Sequence, residues 1–329
     1  MQESYHNLSK LWDFLNPYDF LNEHLLVTFA FDMKAAAPFF GIGSIASTYP
    51  CLYCTQPKSE FNNDKKLEGG PLRSIGEIKK NALAYKEACK SHGKKTKLSS
   101  AEFFSCEEIP IPAKFLPDNC LVLHVLPPMP LHTKLGIVNL LFDVLDDYLE
   151  VIGAPIRAID WAHKCGLIQT MHYGGKVQFN GNGCQTLLNS LDKLYSILLE
   201  HDLNMICKPF LDVFETFKAV VQSCFGNILF ENRYKDDIMR FAVSFFKLID
   251  FFETENQSRN IVEKLKLNVR PKVHVVFVHI VQFFEHQKSR GFANFGLGFY
   301  SEQSWWAFTN HVATKVEGGL SRPKSGQRG

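Results

Sequence analysis

The sequence predicts a helix-dominated chain: an all-helical unit between two non-helical flanks, the first of which carries a buried strand. Three observations predict it. The run 24–31, HLLVTFAF, is apolar and rich in β-formers, and reads as a buried strand. Between Leu135 and Phe252 the apolar residues recur at helical spacing. Pro127, Pro128 and Pro130 break the chain before that block, and Pro271 breaks it after. The expected divisions are an N-terminal remnant (1–23), a partial core (24–130), the helical insertion (131–270), a return segment (271–312) and a flexible basic tail (313–329).

With 329 residues, 46% of them hydrophobic and 29 of them Phe, the chain can bury a sizeable core, which favours a packed globular chain over disorder. The formal net charge of +2 gives no global field that marks a nucleic-acid partner, although a local basic groove can bind phosphates on a nearly neutral chain. There are nine cysteines, an odd number, and MQESYHNLSKLWDF has neither a basic n-region nor an apolar h-region. An intracellular chain with reduced thiols is expected. No stretch approaches 18 uninterrupted apolar residues, so no membrane span is expected.

Taken in order, 1–23 is polar and aromatic without a clear period. Asp32 stands at the C-terminal end of the 24–31 strand. A small, Gly-containing segment leads into Tyr49-Pro50-Cys51-Leu52-Tyr53-Cys54, and the turn-rich stretch to residue 75 reads as a loop around Gly69-Gly70-Pro71. Residues 76–92 suit a charged helix, and 94–100 a basic surface loop. Four apolar stripes follow. They run through Ile137, Leu141, Leu145 and Tyr148; Leu187, Leu191, Leu194 and Leu198; Leu211, Phe214, Phe217 and Val221; and Ile238, Phe241, Phe245 and Phe252. These are core faces. The polar segment Lys176-Val177-Gln178-Phe179-Asn180-Gly181-Asn182-Gly183 reads as a loop with an Asn N-cap. Its Lys176, Gln178, Asn180 and Asn182 also suit phosphates and base edges of DNA.

Cys51 and Cys54 form a Cys-x-x-Cys pair, and His274 and His279 a His-x4-His pair. Two thiolates two residues apart can bind one ion from a tight turn, and the histidine spacing falls within the usual second half-site. The usual gap between halves is short, whereas here more than 200 residues separate them. A buried thiol pair and two structural histidines remain open on spacing alone. A thioredoxin-type redox pair is disfavoured because no βαβ pattern surrounds Cys51.

The order of these parts resembles the DDE recombinase core of recombination-activating protein 1 and the Transib-type transposases. Asp32 is followed after nineteen positions by Cys51-Leu52-Tyr53-Cys54, then by a long helical insertion, His274-x4-His279 and Glu302. Leu131-His132 is similar to a Leu-His step of the family's insertion, and Phe179-Asn180-Gly181-Asn182 to its Met-Asn-Gly-Asn segment near DNA. The run from His279 to Glu285 resembles the family's sequence after its second zinc histidine, and Glu302, with Phe308 six residues on, matches the last catalytic acid.

The resemblance implies a ribonuclease-H-like α/β core, here partial, with structural Zn²⁺ on Cys51, Cys54, His274 and His279 tying the insertion to it. It implies Asp32 and Glu302 as catalytic ligands of Mg²⁺ or Mn²⁺ in two-metal DNA nicking and strand transfer. It further implies a nuclear protein that binds DNA as a homodimer. The family's first acid belongs on a strand well upstream of Asp32, and only 31 residues precede Asp32. Asp13 and Asp19 leave no room for the intervening elements. The expectation is therefore a truncated, transposon-derived chain inactive alone. The alternative is a domesticated or relic zinc-bound helical module that binds DNA or protein without catalysis.

Overall fold

The computed structural model describes residues 4–15, 28–30, 33–63, 67–92, 98–164, 166, 178–258, 265–291 and 294–301. Helices dominate them. In chain order they are α1 (Tyr5–Leu15), α2 (Met33–Phe39), α3 (Ile75–His92), α4 (Val122–Val125), α5 (Pro130–Val151), α6 (Ala158–Lys164), α7 (Gly181–Asn189), α8 (Leu191–Glu200), α9 (Lys208–Cys224), α10 (Tyr234–Ser258), α11 (Pro271–His274) and α12 (Ile280–Ser289). A π-helical turn, Val275–His279, joins α11 to α12 in one continuous rod over 271–289.

The α/β expectation is corrected here. Among the described residues there is no strand and no sheet, only four isolated antiparallel bridges: Ile42 with Cys106, Cys54 with Leu72, Ser74 with Leu121 and Ile228 with Phe295. The described part of the expected strand, 28–30, is irregular. Its Phe29 N–H donates to the carbonyl of Val125 at the end of α4 (2.7 Å), and its ring packs on Phe39, Phe40 and Phe115. Prolines account for much of the rest. Pro50, Pro57, Pro71, Pro110, Pro112 and Pro117 each remove a ladder donor from the region where a sheet was expected. Apolar, β-forming residues are buried there, but as loops and single bridges.

The helical block follows its apolar stripes. On α5, Ile137, Val138, Leu141, Leu145, Tyr148 and Leu149 are buried. The second stripe divides at Ser190 into α7 and α8. Helices α9 and α10, joined by the 225–233 loop, form the principal pair, with Phe217 against Phe241 at 4.9 Å. Phe277 in the π turn packs on Phe241, Phe245 and Phe246 at 5.4–5.7 Å. This aromatic cluster seats the 271–289 rod against α10. Ahead of α3, Ser74 and Glu77 make a capping box. The Glu77 N–H donates to Ser74 Oγ, and the Ser74 N–H donates back to Glu77 Oε2, both at 3.2 Å.

Candidate metal centre

The Cys51–Cys54 turn and the rod meet in the interior. Cys51 Sγ lies 3.2 Å from His279 Nε2, and Cys54 Sγ lies 3.3 Å from His274 Nε2. All four donor atoms fall within 4.8 Å of one another, and all four residues are buried. Tetrahedral coordination, with sulfur at about 2.3 Å and nitrogen at about 2.1 Å, separates sulfur from nitrogen by about 3.5 Å. The two soft thiols and two imidazoles are therefore a group that fits a metal ion, held without solvent access.

The π turn makes the histidine half possible. In an α-helix, residues five apart lie about 140° apart around the axis, so one imidazole would turn away from the cysteines. The i→i+5 bonding of the turn, with the Ile280 N–H donating to the Val275 carbonyl, fits an extra residue into the turn and brings the two rings onto one face. Their centroids are 5.0 Å apart and the rings nearly perpendicular, at 78°.

Each imidazole is fixed from behind. His279 Nδ1 lies 2.8 Å from Gln282 Oε1, an acceptor, so Nδ1 carries the proton and Nε2 presents its lone pair to the cluster. Gln282 is itself anchored, its Nε2 donating to the Glu68 carbonyl at 3.2 Å. The His274 ring lies flat against Phe61, at 4.1 Å and 3°. On the sulfur side, the Tyr53 N–H donates to Cys51 Sγ at 3.4 Å.

The two thiols are electrostatically unequal. Burial pushes the Cys51 thiol well above its ordinary range. Hydrogen bonding from Cys51, with further help from both imidazoles, holds Cys54 far below. Burial also lowers His274, keeping its imidazole neutral and able to donate a lone pair. One thiolate is thus favoured before any ion arrives.

Asp32, Glu302 and Lys176 lie outside the described residues, as does the 313–329 tail. Ala30 and Ser301 line one cleft, with Pro128, Met129 and His132 in its walls. Gln178, Asn180 and Asn182 are exposed around the start of α7. Asn180 is the N-cap of that helix, its Oδ1 accepting from the Gly183 N–H at 2.8 Å. Phe179 between them is tied to α5, where Asn139 accepts from its N–H (2.8 Å) and donates to its carbonyl (3.3 Å). Sequence reasoning missed the π turn and the supports Phe61 and Gln282. Only Gln282, three residues after His279, stood close enough in sequence to be suspected. No protein-family model matches the chain, and no curated protein matches it.

Proposed function

We propose that the chain is a zinc-stapled helical unit of a transposon-derived, DDE transposase-like protein that cleaves and joins DNA strands in the nucleus. The observation that carries this reading is the closed Cys51, Cys54, His274 and His279 cluster, whose halves come from opposite ends of the chain in the order the resemblance implies. The ion is Zn²⁺, because thiolate and imidazole suit it better than Mg²⁺ or Mn²⁺. Its role is structural: four buried protein donors leave no open position for water or substrate.

In this reading Asp32 and Glu302 hold Mg²⁺ or Mn²⁺, which activates a nucleophilic oxygen and stabilises the leaving one. The shared cleft of Ala30 and Ser301 supports it, since these residues stand two positions before Asp32 and one before Glu302. Lys176, Gln178, Asn180 and Asn182 line the DNA backbone, and two copies act together as a homodimer. The second reading is a zinc-bound helical module that binds DNA or protein without catalysis. The absence of any sheet among the described residues favours that reading.

One set of assays separates the two. Zinc content is measured on the purified protein, binding to labelled duplex DNA by anisotropy, and Mg²⁺-dependent nicking on supercoiled plasmid. Nicking by this chain, or by one extended upstream to supply a further acid, that disappears in Asp32→Asn and in Glu302→Gln supports the first reading. Salt-dependent DNA binding with no nicking by either chain supports the second. Zinc-loaded protein that neither binds nor nicks DNA rules out the first reading and leaves only the protein-binding form of the second.

A further inference from the structure

The Arg73 side chain is 2% exposed, and among the described residues no carboxylate pairs with it. A buried guanidinium is costly unless its donors are satisfied. Here they are spent on the cysteine turn. Nε donates to the carbonyls of both Cys51 and Cys54, each at 3.0 Å, and Nη2 to the carbonyl of Tyr49 at 3.1 Å. Nη1 reaches the sulfur of Cys106 at 3.4 Å. The backbone of Arg73 joins in, its N–H donating to the Tyr53 carbonyl at 2.8 Å. Four carbonyls between Tyr49 and Cys54 therefore converge on one residue.

That convergence sorts the turn into two sides. The carbonyls gather on Arg73, while both thiols, and the Tyr53 N–H that supports one of them, face the histidines. A Cys-x-x-Cys turn without such a fork is free to rotate its peptide planes and splay its sulfurs. Arg73 is itself anchored. The Val122 N–H donates to its carbonyl (3.0 Å), and the neighbouring bridges Cys54 with Leu72 and Ser74 with Leu121 fix it on both sides.

We propose that Arg73 is a positioning residue for the metal centre, whose planar fork preorganises the Cys51 and Cys54 thiols for the ion without touching it. Lysine cannot replace it, because a single ammonium cannot span three carbonyls in fixed directions. The inference rests on the metal reading above, and it names the residue that sets the affinity of that site.

The test is metal affinity of the full chain, by chelator competition for Zn²⁺ and by titration with Co²⁺, whose absorption bands report tetrahedral thiolate coordination. Arg73→Lys and Arg73→Met are expected to bind about 10- to 100-fold more weakly than the unaltered protein, with altered Co²⁺ bands. Should Arg73→Met fail to fold, Arg73→Lys keeps the buried charge and decides the matter. Added Zn²⁺ is also expected to raise the unfolding midpoint of either variant less than that of the parent at equal concentration, because the stabilisation grows as ln(1 + free Zn²⁺/Kd) and a weaker site gains less of it. Unchanged affinity and bands in Arg73→Lys overturn the positioning role and leave the metal site standing. A parent chain that binds neither metal overturns both.

Discussion

The sulfur of Cys51 and Nε2 of His279 lie 3.2 Å apart, although 228 positions separate the two residues in the chain. Closing a loop of that length costs about 5 kcal/mol by its length dependence alone. Structural zinc supplies an apparent 10–16 kcal/mol, on the order measured for zinc-finger peptides. The metal term is the larger, so this contact can act as a staple between the loop-rich 33–130 region and the helical block.

Loss of one ligand is expected to release that staple. Cys54→Ala should purify without stoichiometric zinc and lose more than about 4 kcal/mol, in the range reserved for loss of a metal or a comparable buried network. Metal analysis and urea unfolding check this. Chelator treatment of the parent should reproduce the same shift, and a variant with full zinc and parental stability contradicts the assignment.

A pH dependence follows from the stacked pair His124 and His286, whose rings lie 3.5 Å apart at 2°. Burial, His124 and Arg290 together bring His286 down to about 4, and burial with Arg290 lowers His124 in the same direction. Above pH ~6.5 both folded and unfolded forms are neutral and stability is complete. As pH falls from there towards 4, the unfolded chain takes up protons that the folded pair refuses, so stability drops. His286 is partly exposed, which limits the loss to about 1 kcal/mol. The urea midpoint should decline over this window in the parent, and less so in His286→Gln.

The segment leading to Glu302 is held by a glycine clasp. Gly296 and Gly298 donate to the carbonyls of Asn227 and Gly226 at 3.0 and 2.9 Å. A Cβ on Gly296 would stand 2.3 Å from the Gly226 carbonyl oxygen. Gly296→Ala is therefore expected to push the two loops apart at a cost of about 1–3 kcal/mol. Hydrogen exchange should show faster amides at Gly296, Gly298 and Leu229. Parental protection at all three would mean that the loops absorb the methyl group.

Asn180 allows its cap to be separated from any DNA contact. Asn180→Ala should lower stability by about 1 kcal/mol through loss of the bond to Gly183, whereas Asn180→Asp keeps the cap. If Asn180 meets DNA phosphates, the Asp variant should bind duplex DNA more weakly at parental stability. Equal binding by the parent and Asn180→Asp assigns the side chain to capping alone.

The sequence by itself determined the helices of the central block and the identity of the candidate metal donors. Ile137, Leu141, Leu145 and Tyr148 repeat at 3.6-residue spacing because one face of α5 is buried, and that periodicity survives without knowledge of partners. Cysteine and histidine likewise announce their chemistry by type, and Cys51, Cys54, His274 and His279 were legible for that reason. Whether the two pairs meet was decided only by the tertiary structure, because no local signal spans 220 or more positions. Over its described part, 28–30, the expected strand is irregular, because burial selects the same apolar residues whether or not a ladder forms. Phe29 is buried by three phenylalanines and bonded to Val125, with no strand beside it among the described residues. The π turn lay beyond sequence for a related reason. Its extra residue is accommodated by Phe277 against α10 and by the cysteines opposite, and each of those partners comes from another part of the chain.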